Sequence, residues 1–322
     1  MENIKVSREL NIFGKTVPVK NYGCCRNGGP YEEKPEPLQI RLSICPTSYC
    51  PAVCPFCSAR DVTGIRTFLD IEKLRRVLEE FRTKDALSGI SITGGEPFTD
   101  IVLLNEIVEM IFEIFGLEFE ISINTNGSGL RDIDRIAKYP FIDAIHISRH
   151  HYDDDKNRLY FCGGSRVLEE NLHIPTEAEL TELTQGLYDK KLFVFNCLLF
   201  KDGIGTKEEI KKYMEFSDRV GVPKVGFITP MPVNSYVAER AVSYTELFDR
   251  SDPDFLFRKC FRDFEFCHCT DAMYATKSGR IMHFYGRETG LARPEYSRGL
   301  VYTADNRLQT GYSSSSEVII EL

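Results

Sequence analysis

The sequence predicts an α/β protein built on a partial (β/α)6 TIM-like barrel, with a short N-terminal β element and a C-terminal α+β extension. Between residues 39 and 232, short apolar runs alternate with longer amphipathic segments. Strands that alternate with helices form parallel βα units with right-handed crossovers. Hydrophobic residues make up 42% of the 322 residues and charged residues 27%, which suits a globular chain with a buried core.

Each predicted element has a local signal. Apolar runs predict strands at 39–44, 88–93, 118–124, 142–148, 192–199 and 222–229. Amphipathic periodicity predicts helices at 70–83, 100–115, 130–138, 176–190 and 206–220. The first helix places four apolar residues on one face: Leu74, Val77, Leu78 and Phe81. Later helices start at residues that favour N-caps: Asp100, Thr176 and Thr206.

The chain divides into three parts. Residues 1–38 predict a β hairpin and a Pro/Gly/Glu-rich linker, and residues 39–232 form the barrel. Residues 233–322 form the extension, which is expected to cover the barrel mouth and to carry a candidate auxiliary metal site.

Charge and hydropathy exclude several classes of protein. The net charge of -8 argues against broad nucleic-acid binding, because a phosphate backbone requires many cations. No stretch reaches the roughly 18–20 uncharged apolar residues of a transmembrane helix. The first residues lack the apolar core of a signal peptide, which predicts a cytoplasmic protein without a membrane partner.

Five motifs follow predicted strands. They lie at 50–57, 94–97, 124–127, 148–151 and 229–232. Because the carboxyl ends of parallel strands meet at one rim of a barrel, these motifs are expected to lie close together there.

The first of these motifs contains three cysteines in a C-x3-C-x2-C pattern. Cys50, Cys54 and Cys57 can supply three thiolates to a compact metal centre. A structural zinc site needs four closed ligands. Three thiolates without an obvious fourth favour a [4Fe–4S] cluster with one open iron. Cys45 is the nearest spare thiol and leaves a zinc site as the alternative.

The cysteine pattern, with Phe56 before its third cysteine and Gly-Gly-Glu-Pro at 94–97 after the next strand, resembles the radical S-adenosylmethionine (SAM) superfamily. The resemblance covers about residues 39–232. It implies a partial (β/α)6 radical SAM barrel in which SAM binds the open iron. One-electron reduction would then release a 5′-deoxyadenosyl radical. Gly94 and Gly95 lack side chains, so backbone groups can approach a ligand closely there.

The resemblance also implies the SAM-binding residues. It places Phe56 near the adenine and Met231 near the adenine edge. Beside the methionine amino group it places Gly94, Gly95, Glu96 and Pro97. Near the ribose and carboxylate it places Ser148 and either Asn124 or Asn126.

Within that superfamily the pattern is most similar to the GTP cyclase of molybdenum-cofactor synthesis. The similarity implies cationic GTP contacts at three places, which in this chain are Ser91, Val194 and the run Thr270-Asp271-Ala272-Met273. A triphosphate needs cationic partners, so these departures argue against GTP as the substrate.

The same branch has a second cluster in its C-terminal part. The corresponding region here offers Cys260, Cys267, Cys269 and His283, with altered spacing. These residues predict either an auxiliary Fe–S cluster, a zinc ion or a degenerate remnant without metal.

An insertion follows the fourth strand and starts with Arg149, His150 and His151. These side chains are predicted to orient a polar or anionic substrate, because added loops at a barrel rim shape the pocket. A solvated turn, which a run of three aspartates usually forms, is the alternative for the segment that follows. Cys162 is a candidate hydrogen donor to a product radical.

The predicted function is a radical SAM enzyme that abstracts hydrogen from a ribosomal peptide or a small metabolite. An electron donor such as flavodoxin or ferredoxin is the expected partner. The alternatives are a GTP cyclase-like nucleotide enzyme, a glycyl-radical activase and a non-catalytic Fe–S or zinc protein.

Overall fold

The computed structural model describes residues 7–21, 36–57, 66–117, 119–186, 192–232, 234–247, 255–260, 272–286, 296–297, 299–312 and 316–322. The strands are β1 (Ser7–Ile12), β2 (Lys15–Lys20), β3 (Ile40–Ile44), β4 (Leu87–Ile92), β5 (Ile121–Thr125), β6 (Ile142–Ser148), β7 (Phe193–Leu198), β8 (Lys224–Ile228), β9 (Leu256–Cys260), β10 (Ala272–Ala275), β11 (Ile281–Tyr285), β12 (Gly299–Tyr302), β13 (Arg307–Gln309) and β14 (Val318–Glu321). The helices are α1 (Ile71–Thr83), α2 (Ile101–Phe115), α3 (Asp134–Ala137), α4 (Asp154–Cys162), α5 (Arg166–Asn171), α6 (Glu177–Gln185), α7 (Lys207–Val220) and α8 (Ser235–Arg240).

Six parallel strands, β3 to β8, lie side by side in chain order and form the predicted partial barrel. The C-terminal residues lengthen this sheet at both edges. β12 pairs in parallel with β3 and is followed by β13 and β14, while β11 pairs in parallel with β8 and is followed by β10 and β9. An open barrel leaves unpaired backbone groups on its outer strands, and the added strands satisfy them. The extension thus contributes directly to the sheet.

The helices form where their caps and apolar faces predict them. Asp70 caps α1 by accepting hydrogen bonds from the backbone N–H groups of Glu72 and Lys73. The four apolar residues predicted for one face of α1 are all buried. Thr206 caps α7, which ends at the left-handed Gly221. None of the described helices is long and apolar enough to cross a membrane.

The predicted helix at 130–138 is instead a 3₁₀ turn at Leu130–Asp132 followed by the short α3. Leu130, Ile133 and Ile136 are buried and recur every three residues. That spacing fits the 3.0-residue turn of a 3₁₀ helix, which explains the difference.

The insertion after β6 also differs from its prediction, because it contains α4 and α5. The aspartate run begins a helix and is not a solvated turn. Asp153 caps α4 by accepting from the backbone N–H of Lys156, and two further aspartates occupy the first turn. Carboxylates at this position interact favourably with the helix dipole.

Polar side chains lie among the core residues of the sheet. Each of the strands β4 to β8 carries a half-buried polar residue among fully buried residues. Five of these half-buried residues, called the inner face below, are Ser91, Asn124, His146, Asn196 and Lys224. Hydrogen bonds join Asn124 to Ser91 and His146 to Asn196 across neighbouring strands.

Candidate active site

The loop after β3 that carries Cys50, Cys54 and Cys57, called the cysteine loop below, is hydrogen-bonded to the Gly-Gly-Glu-Pro segment (94–97) after β4. The backbone N–H of Gly95 donates to the Thr47 carbonyl oxygen at 3.0 Å, and that of Glu96 donates to the Tyr49 carbonyl oxygen at 2.8 Å. The second motif therefore supports the start of the loop that carries the cysteines.

Two glycines make this contact possible. A Cβ atom on Gly95 would lie 2.1 Å from the Tyr49 carbonyl oxygen, and one on Gly94 would lie 2.7 Å from Cys45 Cβ. Gly94 also has a φ of +108°, in a region that side chains disfavour. Both positions therefore require glycine for the close backbone approach.

Cys50, Cys54 and Cys57 are free thiols on this loop. Burial raises the pKa of Cys50 to about 12, and the charges of Glu96 and Cys57 add to the effect. Burial likewise raises the pKa of Cys54 well above its ordinary value, followed by the charges of Cys50 and Cys57. The three sulfurs thus share one environment, in which bound iron would stabilise the thiolate forms.

The donor set fits a cluster better than a four-cysteine zinc site. Burial raises the pKa of Cys45 to about 12, and the charge of Asp305 adds to the effect. Its backbone N–H donates to the Tyr302 carbonyl oxygen on β12. Cys45 lies against Gly94 and is not among the charges that shift the pKa values of Cys50 and Cys54. Across the described ranges, no three His, Cys, Asp or Glu side chains are arranged to hold a single metal ion.

Glu96 is a buried carboxylate that joins the motifs. It accepts hydrogen bonds from Thr125 Oγ1 and the Asn126 backbone N–H, both at 2.7 Å, and from the Phe98 backbone N–H at 3.1 Å. Burial raises its pKa to about 7, and these hydrogen bonds oppose the rise. The Asn126 amide reaches Cys50 Sγ at 3.4 Å. Glu96 therefore holds the end of β5 against the cysteine loop.

Thr125 is a site residue that the sequence analysis missed. Its hydroxyl donates to Glu96 and accepts from the backbone N–H of Gly127. Its place between Asn124 and Asn126, at the end of a predicted strand, was the available signal.

Phe56 lies in an aromatic group beside the third cysteine. Its ring meets the His150 ring edge-on at 4.8 Å between centroids and lies 5.6 Å from Phe200 and 6.2 Å from Tyr160. The Asn234 side chain donates to the neighbouring Pro55 carbonyl oxygen at 2.9 Å. This packing fixes the ring at the rim.

The remaining residues predicted to contact SAM lie at the same rim. Asn124 donates to Ser91 Oγ at 2.9 Å, on the inner face directly below. Ser148 is half-buried at the end of β6, and Met231 is half-buried after β8. Pro97 starts a short 3₁₀ turn and is buried. Direct contacts with SAM remain predictions for all of these residues.

The three residues predicted to meet substrate are buried in the protein framework. The Arg149 guanidinium donates to the carbonyl oxygens of Pro175 and Tyr152 at 2.8 and 3.0 Å and pairs with Asp154. Its side chain thus satisfies internal acceptors, and a role in orienting substrate remains a prediction.

The two histidines are also engaged internally. His150 Nδ1 accepts from the Leu198 backbone N–H at 3.3 Å, and His151 Nδ1 accepts from the Asp153 backbone N–H at 2.9 Å. Burial lowers the pKa of His150 to about 3 and that of His151 to about 4. Both rings are therefore neutral near pH 7.

The candidate auxiliary site falls partly outside the described residues. Cys267 and Cys269 lie there, while the backbone of Cys260 ends β9. His283 is buried on β11, with its ring stacked on Tyr285 at 4.0 Å. Metal binding at this place remains a prediction.

The chain is similar to several known proteins. Residues 44–177 match the profile of the radical SAM superfamily. A probable GTP 3′,8-cyclase of Saccharolobus solfataricus is 29% identical over 212 residues, which cover 65% of this chain and 60% of that protein. A probable GTP 3′,8-cyclase of Saccharolobus islandicus is 27% identical with the same coverage. The chain thus spans 60% of the length of these relatives.

Two solved structures share the fold. Streptococcus suis SuiB bound to precursor peptide SuiA has a TM-score of 0.51 and 15% identity, covering 84% of this chain and 59% of that chain. The protein anSMEcpe with bound AdoMet has a TM-score of 0.50 and 12% identity, covering 86% of this chain and 75% of that chain.

The partial barrel and the hydrogen-bonded pair of motifs agree with the match of residues 44–177 to the radical SAM profile. The chain is similar to the probable GTP 3′,8-cyclases over 65% of its length. Proteins of the radical SAM superfamily use a [4Fe–4S] cluster and SAM, and the three thiols on one loop fit this requirement.

Proposed function

We propose that this protein is a radical SAM enzyme that abstracts hydrogen from an organic substrate. The observation that carries the proposal is the arrangement of three free thiols on one loop. That loop is held to the Gly-Gly-Glu-Pro segment by backbone hydrogen bonds. Cys50, Cys54 and Cys57 would hold the cluster. When bound, the cluster and SAM supply reductive cleavage of the sulfonium and a 5′-deoxyadenosyl radical.

The chain's own residues hold the cysteine loop in place and orient the substrate. Glu96 holds the Asn126 backbone and, through it, the Cys50 side of the loop. Gly95 lets the backbone after β4 pass beneath the loop. The barrel wall excludes water and fixes the distance between substrate and radical, which is a proximity effect.

We propose a ribosomal peptide or a small metabolite as the substrate class. Apart from the cationic Lys224, the inner face offers neutral hydrogen-bonding groups at Ser91, Asn124 and Asn196. Such groups suit amide, hydroxyl and carbonyl partners. The reducing electron would come from a small donor protein such as flavodoxin or ferredoxin.

A GTP cyclase-like nucleotide enzyme is the second candidate, because the relatives named above are probable GTP 3′,8-cyclases. Against it, two of the three places where that resemblance implies cations hold Ser91, which accepts a hydrogen bond from Asn124, and the buried Val194. Neither side chain can neutralise a triphosphate.

Anaerobic reconstitution tests the main proposal. The protein is loaded with iron and sulfide, reduced with dithionite, mixed with SAM and assayed for 5′-deoxyadenosine. We expect product from the native chain and from Cys197→Ala, which removes a buried thiol of β7, and none from Cys54→Ala. No product from the native chain, or full product from Cys54→Ala, would contradict the proposal.

A second assay separates the substrate classes. GTP and candidate peptides are added in turn, and the products are analysed by mass spectrometry in deuterated and ordinary buffer. Formation of cyclised GTP would favour a GTP cyclase-like nucleotide enzyme. A peptide that changes mass and accelerates SAM cleavage would favour a peptide-modifying enzyme.

A further inference from the structure

His150 lies at the rim among aromatic side chains. Its ring stacks on Phe161 with the centroids 5.3 Å apart, and it meets Phe56 edge-on at 4.8 Å and Tyr160 at 6.1 Å. Only 5% of the residue is exposed. The imidazole is therefore a polar group held inside an aromatic environment, directly beside the residue that precedes the third cysteine.

Two hydrogen bonds fix the orientation of His150. Its backbone N–H donates to Asn157 Oδ1 at 2.7 Å, and its Nδ1 accepts from the Leu198 backbone N–H at 3.3 Å. A neutral imidazole carries one proton, and the nitrogen that accepts a hydrogen bond cannot be the one that carries it. The proton therefore lies on Nε2, and the protein sets both the ring position and the tautomer.

The Nε2–H group of His150 is a donor without an acceptor in the protein. Across the described part of the chain, no hydrogen bond ends on this nitrogen. A buried donor that stays unpaired is costly, and buried polar groups in folded proteins normally have partners. The arrangement thus calls for an acceptor from outside the chain.

We infer that the Nε2–H group of His150 donates a hydrogen bond to a ring nitrogen of the SAM adenine and so helps to select the purine. The inference rests on the proposed function, which brings SAM to the cysteine loop. Adenine is a flat, neutral ring system with acceptor nitrogens at its edges, and such rings pack against aromatic side chains. Phe56 is half-buried, so part of its ring remains open beside His150.

The state of His150 fits a neutral base better than the anionic substrate expected from the sequence. Its ring offers one N–H and no positive charge, since burial lowers its pKa to about 3. Cys162, which follows Phe161, is fully buried in the apolar cluster of that residue, and hydrogen donation by its thiol remains a prediction.

The first test compares ligands on the native protein. The reconstituted enzyme is kept oxidised so that SAM is not cleaved, and Kd values are measured by equilibrium dialysis. The ligands are SAM and its deaza analogues, in which a C–H group replaces N1, N3 or N7 of the adenine. We expect one analogue to bind about five- to tenfold more weakly than SAM, because it lacks the acceptor. Equal Kd values for all ligands would overturn the inference.

Two variants then assign the donor. His150→Asn keeps an acceptor near the position of Nδ1 and has no group at the position of Nε2, whereas His150→Gln places an amide N–H near the latter. We expect His150→Asn to bind SAM about five- to tenfold more weakly and to lose its preference for SAM over the analogue. His150→Gln should recover part of this preference. His173→Asn, at an exposed position, is the control and should bind SAM like the native chain.

A preference that persists in His150→Asn would overturn the inference, because another group then donates. Equal losses for SAM and the analogue would also overturn it, since a merely structural role weakens both ligands alike. Native SAM affinity with weakened substrate binding would overturn it in favour of a substrate role. If His150→Asn does not load iron, His150→Phe, which keeps a ring without nitrogens, replaces it. A native protein that loads iron and sulfide but does not bind SAM would instead contradict the proposed function.

Discussion

The buried carboxylate of Glu96 accepts a hydrogen bond from the backbone N–H of Asn126 at 2.7 Å. Because the Asn126 amide reaches Cys50 Sγ at 3.4 Å, a residue of the second motif is connected to a cysteine of the first through the end of β5. Two signatures that are about forty residues apart in the sequence therefore act as one structural unit.

Glu96→Gln is expected to loosen this unit. The amide replaces one accepting oxygen by a donor, which leaves one of the three donors around it without a partner and lowers the free energy of unfolding by about 1–3 kcal/mol. Urea denaturation of the reconstituted protein measures the loss, and iron content should fall with it. Glu79→Gln, at an exposed position on α1, is the control and should change neither quantity. Equal stabilities of both variants would contradict this role.

Gly95→Ala is expected to displace the cysteine loop, because the new Cβ would lie 2.1 Å from the Tyr49 carbonyl oxygen. The measurement is the number of iron atoms bound per chain after reconstitution, which should fall severalfold. Gly186→Ala is the matched control, since its Cβ would meet its nearest neighbour at an ordinary 3.4 Å. Full loading of Gly95→Ala would show that the loop tolerates movement there.

Arg149→Gln tests whether this side chain serves the fold. The change removes hydrogen bonds from a charged donor to Pro175 and Tyr152, each worth about 1.5–3 kcal/mol, so we expect stability to fall by about 3 kcal/mol. Arg219→Gln breaks an exposed pair with Glu177 and should cost less than about 1 kcal/mol. If Arg149→Gln is as stable as the native chain but no longer turns over substrate, Arg149 contacts the substrate instead.

Acid should destabilise the protein through His146. Burial lowers the pKa of this imidazole from 6.5 to about 4, and the charge of Lys224 acts in the same direction. The unfolded chain therefore binds the proton first, and stability falls as the pH drops from 6.5 to about 4. At about 1.4 kcal/mol per pKa unit, the loss is at most about 3.5 kcal/mol.

His146→Gln should flatten that part of the pH–stability curve measured by chemical denaturation. The native chain, measured over the same pH range, is the reference. Identical acid slopes for the native chain and His146→Gln would rule out this contribution.

Local signals in the sequence predicted much of the fold. The predicted strand at 142–148 matches β6, and the apolar face of α1 is buried as expected, because both depend on residues close together in the chain. The fold class is confirmed, and residues 44–177 match the radical SAM profile that the motifs predicted.

Long-range pairing could not be predicted in the same way. β12 joins β3, its partner more than 250 residues earlier, and nothing in its short apolar run distinguishes an edge of the sheet from a cover over the barrel mouth. The hydrogen-bond partners of Arg149 could not be predicted either. In the sequence, an arginine at a barrel rim looks the same whether it donates to carbonyl oxygens of the chain or to a ligand.

The pairing of β12 with β3 has a consequence for biosynthesis. The strand that leads into the cysteine loop acquires its outer neighbour only after Tyr302 has left the ribosome. A nascent chain that already displays all three cysteines still lacks one side of their supporting strand, so stable metal loading should follow translation of the C-terminal strands.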